Sequence, residues 1–173
     1  MRTFFRWLVL ASVLLPPAGA RISSTTIEEL IANSSAIVVA RVTELLPTSS
    51  KQGDLVYATA SVQETLKGSI EDSFLFRASA GWICDTSGAV KDETALFFLY
   101  RGDDGTYGIM HAGRGRMPFR VIDGKTYVTA WHDIHLPRDA PTVAGPDPRY
   151  AFIKSVELAY LESLIRQQLR VAK

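Results

Sequence analysis

The sequence predicts a mainly β protein, a small antiparallel β-barrel with a short N-terminal helix and a longer C-terminal helix. Three observations carry this. Apolar residues recur at helical steps only up to Asn33 and again after Phe152. Between those points the period is two, in six or seven short runs separated by turn residues. Closure of those runs on themselves satisfies strand edges that would otherwise recruit other chains.

The first helix is announced by Thr25…Glu28 and Thr26…Glu29, two overlapping capping boxes, followed by Ile27, Leu30 and Ile31 at helical spacing. Ala36–Leu46 opens as a continuous apolar run and stops at Pro47, which cannot donate to a sheet ladder. Leu55–Leu66 alternates, with Val56, Ala58, Ala60 and Val62 on one face. Ser73–Ala80 alternates again and places Phe74, Phe76 and Ala78 together. Thr94–Arg101 is apolar on both faces, which predicts a central strand. Gly102-Asp103-Asp104-Gly105 reads as a hairpin turn into Thr106–Ala112. Asp123-Gly124 favours a tight hairpin between Phe119–Ile122 and Lys125–Trp131. The Pro-rich stretch 137–148 is expected to be a connector. Asp147 then caps a helix with Pro148 at its first position, and Phe152, Val156, Ala159, Tyr160, Leu164 and Ile165 form its apolar stripe.

Residues 1–20 have the layout of a secretory signal peptide: Arg2 and Arg6, an apolar Leu8–Leu15 broken only by Ser12, Pro16-Pro17, then Ala18-Gly19-Ala20. Cleavage after Ala20 is expected, leaving residues 21–173 as a single domain that is periplasmic or secreted. The apolar run is too short to span a bilayer, so no transmembrane segment is expected in the mature chain. The whole chain has a formal charge of +1. Losing two arginines and no acid with the leader brings it to −1, which gives no electrostatic basis for binding nucleic acid. A single cysteine, Cys84, excludes an intramolecular disulfide.

Ala36-Ile37-Val38-Val39-Ala40-Arg41-Val42 leads into Val62-Gln63-Glu64-Thr65-Leu66-Lys67-Gly68, then a cysteine loop, the aromatic strand Ala95–Tyr100 and a Gly-Asp turn. This order resembles bacterial exported domains related to the tissue inhibitors of metalloproteinases and to netrin-like modules, over about Ala36–Met117. The resemblance implies a five-stranded barrel of the oligonucleotide/oligosaccharide-binding type. It does not extend to inhibition of a metalloproteinase, because the expected mature terminus is Arg21 and no cysteine stands near it. The second cysteine common in that group is also absent; the matching stretch is Ile109–Gly113.

Several residue groups invite a chemical reading. His111, His132 and His135, with or without Cys84, are the candidate metal ligands. Along a straight strand His132 and His135 would face opposite sides, so the set needs a turn before Pro137. Cys84 is otherwise a packed thiol, an intermolecular disulfide partner, or a nucleophile with His111 as its base. Arg114 and Arg116, two apart, would put two guanidinium groups on one side of a strand edge and suit an anion; solvated loop arginines are the alternative. Asp92-Glu93 and Asp103-Asp104 read as solvated turn residues. With no G-x-S-x-G, H-E-x-x-H or P-loop pattern, the expected function is a non-enzymatic exported binding or protein-interaction domain, an envelope protein being a possible partner. A metal-binding protein is the alternative, and no cofactor is expected.

Overall fold

A computed structural model of the chain describes residues 23–48, 55–79, 85–147, 149 and 153–171. The leader and Cys84 lie outside the described residues.

The first elements are β1 (Thr25–Thr26) and α1 (Ile27–Asn33). Of the two overlapping boxes, Thr26…Glu29 forms the cap. The Glu29 amide donates to Thr26 Oγ1 at 3.1 Å, and the Thr26 amide donates to Glu29 Oε2 at 3.0 Å. The far end of α1 is closed by Lys67, whose Nζ donates to the carbonyls of Ile31 and Ala32 at 2.6 and 2.9 Å. An ammonium there also complements the negative end of the helix dipole. Thr26→Ala should cost about 1 kcal/mol, a typical value for a lost N-cap, read as a shift of the urea midpoint at unchanged slope.

Five strands close into a ring: β2 (Ala36–Thr48), β3 (Leu55–Lys67), β4 (Ser73–Arg77), β5 (Thr94–Arg101) and β6 (Tyr107–Ile109). Round the ring the order is β2-β3-β4-β6-β5 and back to β2. All neighbours are antiparallel except β4 and β6, which meet in parallel at Phe76 and Tyr107. Alanines line much of the wall (Ala36, Ala40, Ala58, Ala60, Ala95), and the space they leave is filled by Phe74, Phe76 and Phe97. The Phe97 ring meets Phe76 at 5.4 Å and Phe74 at 5.8 Å, both edge to face. The barrel interior is therefore packed side chain, not a pore.

A second sheet grows from the same β5 strand: β7 (Arg116–Ile122), β8 (Lys125–Ala130), β11 (Lys154–Glu157) and β10 (Thr142–Ala144), in that order outward. The β7–β8 turn is left-handed at both central residues, with φ of 50° at Asp123 and 76° at Gly124, as a tight hairpin requires. On this side α1 and α2 (Leu158–Val171) cover a second core with Ile37, Val39, Leu96, Phe98, Met117 and Val156. Because β5 turns Phe97 and Leu99 into the barrel and Leu96 and Phe98 into the helical core, it has no solvent face over those residues. None of the helices among the described residues is long and apolar enough to cross a membrane.

Several boundaries differ from expectation. The C-terminal helix begins at Leu158, because Lys154–Glu157 pairs with β8 as a strand and buries Ser155 and Val156. Pro148 and Phe152, expected in its first turns, lie outside the described residues. The connector 137–148 contains a strand, β10, which pairs with β11. β6 stops at Ile109, not Ala112, because the backbone turns left-handed at His111, Ala112 and Gly113. β4 ends at Arg77. A further two-residue strand, β9 (Ile134–His135), pairs in parallel with β1 and ties the start of the described chain to the second sheet.

Candidate functional site

The site is built from the fork where β5 leaves the barrel. One edge of β5 is shared, with β7 pairing Ala95–Phe97 and β6 pairing Leu99–Arg101. At the branch point Phe98 accepts from the Met110 amide at 2.9 Å and donates to the Gly115 carbonyl at 2.8 Å. The intervening residues must then double back. The φ angles are 53°, 49° and 86° at His111, Ala112 and Gly113, and the Gly115 amide closes the loop on Met110 O at 3.0 Å. Gly113 has no substitute here, since a Cβ would strike the backbone at Thr86 and Ser87.

This loop delivers Arg114 into the interior, where its side chain is 8% exposed and its Nε meets Asp133 Oδ2. The Asp133 side chain is equally buried, and the Trp131 ring lies under the guanidinium at 5.5 Å from its centroid. His111 stands beside the pair, Nε2 at 3.7 Å from Asp133 Oδ2. Burial holds its imidazole below the ordinary histidine value; Asp133 opposes that shift, Arg114 adds to it, and Glu29 opposes it. A histidine with a lowered folded pKa takes up its proton more readily when unfolded. Its contribution to stability is therefore complete above the ordinary value of 6.5 and is lost as pH falls through it. The urea midpoint should fall more between about pH 7.5 and pH 5.5 in the native chain than in His111→Gln, while equal falls would remove His111 as the cause.

Arg116 follows a different path. Both Glu93 oxygens accept from its Nη1 at 2.7 Å, and its Nη2 donates to the Gly88 carbonyl. The two arginines thus occupy separate carboxylates, not one face of a strand edge, and neither is a solvated loop residue. Glu93, expected in a solvated turn, is buried against Arg116 with 14% of its side chain exposed. Asp92 and Asp104 do stay at the surface, one paired with Arg41 at 3.0 Å and the other accepting from Thr106.

The buried Arg114–Asp133 pair fixes the segment that walls a groove of about 410 Å³ beside β9. Ile134 N donates to Trp131 O at 3.0 Å, making a tight turn at His132-Asp133. That turn faces Asp133 inward and leaves His132 and His135 to line the same groove. Trp131, Ile134, Leu136 and Pro137 supply its apolar wall, and Arg138 and Lys154 complete its rim. The third histidine, His111, instead borders a separate cavity of about 370 Å³ with Arg77 and Tyr100. The three histidines therefore do not converge, and among the described residues there is no group of three or more His, Cys, Asp or Glu able to hold a metal ion. Cys84, the remaining candidate ligand, lies outside those residues.

Sequence reasoning singled out the His132–His135 cluster but missed the part played by Asp133, and it passed over Arg138 and Lys154 as groove residues. An aspartate set between Trp131 and Ile134 was the available signal, since a buried carboxylate demands a cation. No protein-family model matches the chain, and no curated protein does either.

Proposed function

We propose that this chain is an exported, non-enzymatic binding module on a barrel of the oligonucleotide/oligosaccharide-binding type, and that its ligand sits outside the barrel in the groove beside β9. The ring order, with the third and fifth strands in parallel contact, supports the barrel type. The observation that carries the functional reading is the contrast between the two spaces. The barrel is filled by Phe74, Phe76 and Phe97, whereas the groove is open, about 410 Å³, and within the range of small-molecule sites. Its wall is held by a buried ion pair, so the site is preformed. The basic, largely apolar character of the signal-like residues 1–20 supports export.

Two measurements test this. Mass spectrometry of the exported product should return a chain beginning at Arg21. A screen of small neutral and charged fragments by amide and indole NMR should shift Trp131, Leu136 and Ala140. Shifts confined to Tyr57, Leu75 and Arg77, on the outer face of β3 and β4, would overturn the placement.

A further inference from the structure

We infer that the groove beside β9 selects a small organic carboxylate, an apolar body carrying one acid group; this rests on the groove being the binding site. Charge accounting carries the inference. Of the arginines elsewhere, Arg77 and Arg101 each share a cavity with an acid, Asp85 and Glu71, and five are occupied by carboxylates: Arg41 by Asp92, Arg114 by Asp133, Arg116 by Glu93, Arg149 by Asp147 and Arg166 by Glu64 and Glu162. Arg138 and Lys154, by contrast, pair with no carboxylate among the described residues, and both line this one cavity.

The nearby acids are turned elsewhere. Asp133 points inward to Arg114, and Asp139 accepts from the Tyr160 hydroxyl at 3.2 Å. No aspartate or glutamate is among the described lining residues, whereas His135 adds a further nitrogen donor. Leu136 and Pro137 add apolar side chains to a lining that is otherwise mainly polar. A guanidinium and an ammonium in a lining that also holds Leu136 and Pro137 match a carboxylate attached to a compact hydrocarbon. A neutral fragment would forgo the charge-assisted hydrogen bonds that both cations can donate.

The test titrates the purified chain with sodium benzoate and cyclohexanecarboxylate, and in parallel with the corresponding neutral amides, following the Trp131 indole and Ala140 amide signals. Both acids should shift those signals saturably and bind at least about tenfold more tightly than the amides, as expected of charge-assisted recognition. Arg138→Gln with Lys154→Gln should abolish that preference while the unfolding midpoint stays put, since both side chains are exposed. Acids and amides binding equally in the groove would overturn the carboxylate assignment and leave the groove as the site. No shift in the groove from any of the four compounds would overturn both.

Discussion

Asp133→Ala should lower stability by about 3–5 kcal/mol, because it strips the counter-charge from an arginine that remains buried. The loss is not the worth of the ion pair, which desolvation largely offsets. It is the cost of an uncompensated guanidinium beside Trp131. The double change Arg114→Met with Asp133→Leu separates the two, since an apolar pair of similar bulk restores most of the lost stability. Urea unfolding of the three proteins at one pH checks this; a single substitution as mild as the double would show that Arg114 escapes to water. The same variant should also weaken carboxylate binding, because Asp133 anchors the turn that presents His132 and His135 to the groove.

Phe97→Ala should cost a similar 3–5 kcal/mol. Phe97 is fully buried, and its ring touches those of Phe74 and Phe76 inside a wall built largely of alanine. The alanine wall cannot swing in to fill the space, so the cavity term adds to the lost transfer energy. Against a total of about 5–15 kcal/mol for a domain of this kind, either change is a large fraction. Val121→Ala is the matched control: the residue is 73% exposed, and its effect should stay within about 0.5 kcal/mol. Equal midpoints for the two variants would contradict the packed barrel.

The parts of the fold legible in the sequence are those whose pattern is long enough to show a period. Thr94–Arg101 is apolar on both sides and is the strand that two cores share. Leu55–Leu66 alternates clearly from Val56 to Val62 and puts Ala58 and Ala60 inside the barrel. Asp123-Gly124 announces its hairpin through its backbone preference alone. Short elements are different. Four residues, Lys154–Glu157, cannot distinguish period two from the helical stripe that runs on after them, so by pattern alone Val156 reads as part of the helix. The two-residue pair of β1 and β9 carries no pattern at all.

The site was less legible for a related reason. Its geometry depends on His111 and Ala112 adopting left-handed backbone, which non-glycine side chains do not advertise. Its charges find partners far along the chain, as Arg116 does with Glu93, and spacing says nothing about such pairings. The alternation of Arg114 and Arg116 suggested one shared face, but a turn ends between them and sends each to its own carboxylate.

Native-state hydrogen exchange of the amides of β5 tests the central claim most directly, that one strand joins the barrel to the sheet bearing the groove. Amides of Leu96–Leu99 should be among the slowest in the protein, and those of β7 and β8 should share their free energy of opening, because both cores open together. Fast exchange across β7, β8 and β11 while the barrel stays protected would mean two independent units, and the groove wall would then lack the rigid support described for it.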